Sequence, residues 1–428
     1  MFSRLARAVL FRPAGLRRSG ARGPSTGKAF FFGACALLLS SVLATAPMSH
    51  EHGSKQPCEG TTLACATKVT PTFAPDGSLW LAWDAGRYIS VARSTDFGQT
   101  FSPAVAVNPE PMSLDWGPDA RPAITVDRQG RIAVAFDIFK DKEFNGQVFY
   151  THSEDSGRTF ARPAPITADA ESQRFQAVAF DPDGTLFAAW FDKRNRAPAR
   201  ARGEKYAGAA LAFAWSSDHG ATFSETRLAR DNTCECCRLG VAFTGPGRPI
   251  LLFRNIFEGS IRDHAITTFV NPTTPGTVYR VSVDDWRIEA CPHHGPSLAV
   301  APNGDYHVTW FTSGRVRQGL FYAHSSDGGQ TFSQPRPIGN PARAPARPSV
   351  LAVATTLWLA WKEFDGTTTT VQLMTSHDGG NTWSASKAIA ETGDSSDHPL
   401  LVTNGSRAFL SWQTRREGYR LISLEEFS

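Results

Sequence analysis

An all-β propeller of seven four-stranded blades is predicted by three features of the sequence. It has a period of about fifty to sixty residues. Every period holds two apolar strands, the second closing on an aromatic residue, and in five periods a third strand runs into the octapeptide S-x-D-x-G-x-T-[FW]. Six blades is the alternative count. A chain of 428 residues would ordinarily divide into roughly two or three domains. A fixed period overrides that expectation, because each unit has an apolar face that only its neighbours can cover. The expected organisation is residues 1–46 as a leader and 47–428 as one propeller domain.

The leader comes first. It carries seven basic side chains (Arg4, Arg7, Arg12, Arg17, Arg18, Arg22, Lys28) and no acid, followed by the apolar run from Ala29 to Ala46 that ends in Ala44-Thr45-Ala46. These are the parts of a secretory signal, and the run is nearly long enough to stay in a bilayer as an anchor. The expectation is an exported protein, periplasmic or secreted, or held at the inner membrane by this segment alone. The formal charge of +4 also originates here. Beyond residue 46 there are 37 basic against 40 acidic side chains, so basicity gives no argument for nucleic acid, and none is expected as a partner.

The units follow in order. Their first strands begin VTPTFAPDG at Val69, AITVDRQG at Ala123, AVAFDPDG at Ala177, LGVAFTGPG at Leu239, SLAVAPNG at Ser297, SVLAVATT at Ser349 and LLVTNG at Leu400. Their second strands close on Trp83, Phe136, Trp190, Phe253, Trp310, Trp361 and Trp412. Alternation with β-branched and aromatic enrichment makes these strands. The last unit stops at its third strand, so a segment near Thr61 to Ala66 is expected to supply the outer strand and close the ring.

The octapeptides start at Ser94, Ser153, Ser216, Ser325 and Ser376. Asp and Thr side chains bonding turn amides, a glycine at positive φ and an aromatic beneath would make each a hairpin clamp. On these five copies, residues 60–428 resemble the Asp-box, or BNR-repeat, proteins of the sialidase-like β-propeller superfamily. The resemblance implies that the boxes lie opposite the active site, so they speak to fold and not to function. It also implies six blades for sialidases proper, against seven units here.

The start of each first strand and the end of each second strand emerge on one face near the axis. The residues starting the first strands are Lys68, Arg121, Phe175, Arg238, Gly295, Arg347 and His398, with Arg174 and His294 preceding the two that are not basic. Such a ring repels itself unless neutralised. Either it grips an anionic ligand through guanidinium forks, or each arginine pairs with a carboxylate such as Asp115, Asp119, Glu171 or Asp397. The ligand-binding candidates are Arg121, Arg174, Arg238, Arg254, Arg347 and His398. The loop from Asp192 to Gly208 adds further basic charge.

Six cysteines lie beyond the leader. Cys58 and Cys65 are expected to staple the closing strand, while Cys234, Cys236 and Cys237 open unit four and Cys291, His293 and His294 open unit five. Three readings stay open: disulfides, as an oxidising compartment favours, copper or zinc held by thiolate and imidazole, or a reactive thiol pair.

The resemblance further implies an arginine triad on a substrate carboxylate, a Tyr nucleophile and an Asp acid/base, the recognised exception to paired carboxylates in glycoside hydrolysis. Arg121, Arg254 and Arg347 would be the clamp, Asp137 or Asp84 the acid, and Glu363 would orient a nucleophile, but no Tyr is clearly placed. There is no Gly-rich phosphate loop, zinc-protease helix or serine elbow. The sequence therefore points to an acidic small molecule or glycan, or a soft metal, bound at one rim. The alternatives are a sialidase-type hydrolase and a scaffold for a protein partner.

Overall fold

A computed structural model describes residues 60–235, 237–290 and 292–427. The leader, Cys58, Cys236 and Cys291 lie outside them.

Seven antiparallel sheets follow one another along the chain, each with its strands in simple sequence order. The first strands pack on those of neighbouring blades in an unbroken circuit, Leu400–Thr403 of blade seven meeting Lys68–Phe73 of blade one. They enclose an axial channel of about 480 Å³ walled by Pro71, Phe243, Leu298, Val350 and Leu401. The expected seven-bladed architecture is the one found.

The second strands are more apolar than simple alternation requires. Leu79–Ala85, Leu186–Asp192, Pro249–Arg254 and Ala408–Thr414 are buried at every position, because blades on both sides cover both faces of the strand. Each closing aromatic is almost fully buried, and a buried indole N–H needs an acceptor. Trp190 donates to Asp192, Trp361 to Glu363, Trp310 to Asp284 and Trp412 to the Asp397 carbonyl.

The expected outer strand of blade seven is not formed. Leu63–Cys65 is instead a 3-10 turn beside Gly418–Ser423. Its amides are spent locally, Cys65 N–H on the Thr62 carbonyl and Ala66 N–H on Leu63, so they cannot enter a ladder. Among the described residues blade seven has three strands and the other six have four. Ring closure falls to side chains: Asp397 accepts Val69 N–H (2.8 Å), and Gln413 Nε2 donates to the Ala66 carbonyl (3.2 Å).

All five octapeptides fold as the expected clamp. In the first, Gly98 N–H donates to Ser94 Oγ and Thr100 donates through its amide and hydroxyl to Asp96, and the other four repeat these bonds. Two adjacent residues take positive φ in each, so Phe97, Ser156 and His219 bear a strain that Gly328 and Gly379 avoid. The clamps also lock blades together. A Cβ on Gly220 would strike the Tyr150 hydroxyl of the preceding blade, and one on Gly380 that of Tyr322.

The only α-helix among the described residues is Arg196–Ala201, in the blade-three loop. No helix there is long and apolar enough to cross a membrane.

Candidate functional site

The rim carrying the basic ring is organised by the segment between blades one and two, which brings two carboxylates to the axis. Asp119 Oδ1 accepts Arg238 Nη1 at 3.2 Å and Arg347 Nη1 at 3.1 Å, Oδ2 accepts Gly295 N–H at 2.9 Å, and His398 Nδ1 lies 4.0 Å away. Blades four to seven therefore lean on one buried carboxylate. Asp115 takes Arg174 at 2.6 Å. Asp397 holds both nitrogens of the Arg121 fork at 2.7 and 3.1 Å, and Arg121 also donates to the Val69 carbonyl and Thr70. Lys68 pairs with Asp84 at 3.0 Å.

Many of the rim arginines thus have structural partners, yet the pairing is incomplete. Arg238 and Arg347 share one carboxylate. Arg254 is fully buried over the Trp286 ring; Nη2 reaches the His294 and Phe311 carbonyls, while Nε and Nη1 have no partner among the described residues. Lys362 donates only to the Ser396 and Asp397 carbonyls, and burial pushes its pKa down to about 8. The rim carries surplus positive charge in a low-dielectric setting, which favours an incoming anion.

Arg238, Arg254 and Arg347 converge on the His293-His294 segment. Arg254 and Arg347 bond its two carbonyls, and burial with these three cations holds the His294 pKa down to about 3. His398 is likewise kept neutral by burial and by Arg347, Arg238 and Arg121. Arg347 and Phe175, at equivalent positions in blades six and three, both take positive φ (58° and 57°) at register shifts. Strain of this kind persists only where surrounding contacts over-determine it.

Of the carboxylates expected to be catalytic, Glu363 accepts Asn340 N–H and the Trp361 indole N–H and lies near Arg343, so it fastens a loop. Asp84 is bonded by Thr67 and Lys68. Asp137 differs: Oδ2 accepts Phe175 N–H at 2.8 Å and Oδ1 has no partner. Burial first, and then the Asp115 charge, push its pKa up to about 8, so it is a neutral acid at pH 7. The basic loop after Asp192 is largely self-neutralised by Asp192, Glu235, Glu204 and Glu289.

Sequence reasoning missed an aromatic platform. Trp116, 72% exposed, stands between Asp115 and Asp119 and meets Phe139 and Phe144 edge-on at 6.2 and 6.1 Å, with Arg174 over Phe139 at 5.2 Å. Its position between two carboxylates in an inter-blade linker was the available signal.

Cys234 and Cys237 are buried on the same side of the ring, and Arg262 Nη1 donates to Cys234 Sγ at 3.3 Å. Nδ1 of His293 and of His294, and Nε2 of His264, are buried without hydrogen-bond partners among the described residues. His264 stands opposite Arg254 in the ladder, a cross-strand position that no sequence motif marks. No group of three or more His, Cys, Asp or Glu among the described residues is placed to hold a metal ion, and Cys236 and Cys291 fall outside them.

No protein-family model and no curated protein matches the chain. Solved structures do. An ulvan lyase described as a new family of polysaccharide lyase, bound to -[GlcA(1-4)Rha3S]-, superposes with a TM-score of 0.53 at 10% identity over 84% of this chain and 94% of its own. A protein of unknown function from Dyadobacter fermentans gives 0.50 at 17% identity over 71% and 92%. A Hadza microbial sialidase gives 0.47 at 19% over 84% and 66%. Together with the seven sheets, the likenesses to the ulvan lyase and the Dyadobacter protein define the fold: a seven-bladed β-propeller.

Proposed function

We propose that the rim binds an acidic saccharide, its carboxylate or sulfate taken up by the Arg238, Arg254 and Arg347 group and its ring lying against Trp116. One observation carries the reading: Arg238 and Arg347 share a single carboxylate, Asp119, beside the His293-His294 segment that Arg347 and Arg254 both bond, and Arg254 keeps two buried donors unused among the described residues. A buried donor without an acceptor is costly, and an anionic oxygen relieves it. The ulvan lyase of like fold, whose bound saccharide contains GlcA, supports the same ligand class. Asp137 is a neutral acid beside the rim, but no nucleophile is matched to it, so the reading is recognition first. The basic and apolar sequence of residues 1–46, read as a secretory leader, supports an activity outside the cytoplasm.

Isothermal titration of a glucuronate-containing oligosaccharide against its neutral analogue tests it. Binding of the acidic ligand alone is expected, reduced at least about tenfold in Arg347→Ala and weakened by salt. Equal affinity for both ligands refutes it.

A second reading, a soft metal at Cys234, Cys236, Cys237, Cys291, His293 and His294, is favoured by the burial of Cys234 and Cys237 and by imidazole nitrogens of His293 and His294 that have no hydrogen-bond partner among the described residues. Native against denatured intact mass tests it. A copper or zinc increment that denaturation removes, with thiols becoming alkylatable, supports it; disulfides without metal refute it.

A further inference from the structure

The opposite face holds a cleft that the rim chemistry does not use. In blades with an octapeptide clamp, the clamp glycine presses against the preceding blade, as Gly157 does on Trp80, Gly220 on Tyr150 and Gly380 on Tyr322. Blade four lacks the octapeptide and joins its third and fourth strands, His264–Asn271 and Thr274–Arg280, by a tight turn. At this face of the junction of blades three and four Pro272 reaches across, its carbonyl accepting the Trp215 indole N–H at 2.7 Å, and Gly247 N–H donates to Asp181 at 2.9 Å. A cleft of about 450 Å³ remains, lined by Asp183, Trp215, Glu225, Arg227, Pro246 and Pro272.

Its wall is fixed and its polar groups are unengaged. Asp181 spends its carboxylate on the amides of Asp183, Thr185 and Gly247, which sets the two neighbouring turns. Trp215 is half-buried, and its ring packs on Phe187 at 4.8 Å. The side chains of Asp183, Glu225 and Arg227 enter no hydrogen bond or ion pair among the described residues. A pocket of this size with an aromatic wall and a few convergent polar groups is the usual form of a small-ligand site.

We infer that this cleft is a second binding site, for a neutral saccharide. A pyranose offers a C–H face to an indole and hydroxyls that both donate and accept. Carboxylates at Asp183 and Glu225 with a guanidinium at Arg227 supply the complementary acceptors and donors. Arg227 also opposes an organic cation, which Trp215 with two carboxylates alone would otherwise attract.

The test uses the full-length chain and saturation-transfer NMR with cellotetraose, xylotetraose, maltotetraose and chitotetraose. At least one binds through its ring protons, and affinity falls about tenfold in Trp215→Ala and in Arg227→Ala but is unchanged in Arg347→Ala, which separates this site from the rim. Glu225→Gln, at an exposed position, serves if Trp215→Ala fails to fold by circular dichroism. The inference is overturned if none of the four binds at millimolar concentration, if binding survives Arg227→Ala and Glu225→Gln, or if spermidine occupies the cleft in their place.

Discussion

The two faces of the ring are built by opposite rules. On the clamp face the polar bonds of each clamp are local and repeated: an Asp, a buried Ser and an exposed Thr within eight residues, five times over. Hydrogen bonds from Thr and Ser hold the Asp96, Asp155, Asp327 and Asp378 pKa values down to about 2. On the rim the principal ion pairs join residues far apart in sequence, Arg121 to Asp397 and Arg238 to Asp119 for example, and each occurs once and is buried. There a carboxyl can be pushed the other way, as Asp137 is to about 8. Repetition on one face specifies the fold, and the single long-range pairs on the other leave room for a site that is not symmetric.

The sharpest way to break that contrast is Asp119→Ala. It strips the shared partner from Arg238 and Arg347, whose side chains are about 15% and 14% exposed, and removing one partner of a buried ion pair costs about 3–5 kcal/mol. A large drop in urea midpoint is expected. Glucuronate or sulfate should restore part of it by binding the released guanidinium groups. Loss of stability without anion rescue would mean that the rim is a structural staple only.

Asp137→Asn is expected to have a smaller and pH-dependent effect. The folded pKa of about 8 lies above the unfolded value of 3.8, so between these limits the folded state holds a proton that the unfolded chain releases. Wild-type stability therefore declines from about pH 4 up to about pH 8. Asparagine removes this penalty while keeping an oxygen for Phe175 N–H, so the variant should be more stable than wild type at pH 9 and nearly equal to it at pH 4. Parallel melting curves at both values would show that Asp137 is ionised throughout.

The same contrast explains what was legible in the sequence. The period, the closing aromatics and the clamps are local, so seven blades and five turns could be read directly. The ring of first-strand residues was legible as a list, because period alone aligns Arg121, Arg238, Arg347 and His398. Their partners were not, since whether Arg121 grips Asp397 or a ligand depends on packing 276 residues away. The loop contact of Glu363 was hidden for the same reason: its bond from Asn340 N–H spans 23 residues. The Thr61 to Ala66 segment failed differently, its strand-like composition losing to 3-10 bonds made within four residues. Trp116 and His264 carry no motif at all.

The smallest effect belongs to a single clamp. Asp378 accepts Ser376 Oγ through Oδ1, the Thr382 amide through both oxygens and the Thr382 hydroxyl through Oδ2. Asparagine keeps one of these oxygens and turns the other into a donor that the Thr382 hydroxyl can accept. Because the folded pKa lies below 3.8, the charged form contributes stability above about pH 4, and that contribution disappears as the pH falls toward 2. Asp378→Asn should therefore melt roughly 1–2 °C below wild type at pH 7 and alongside it at pH 2. The other four clamps keep their carboxylates, so acid unfolding persists with a slightly shallower slope. A deficit of equal size at both pH values would show that geometry, and not charge, is what the aspartate supplies. The two faces would then differ in the range of their contacts but not in their electrostatics.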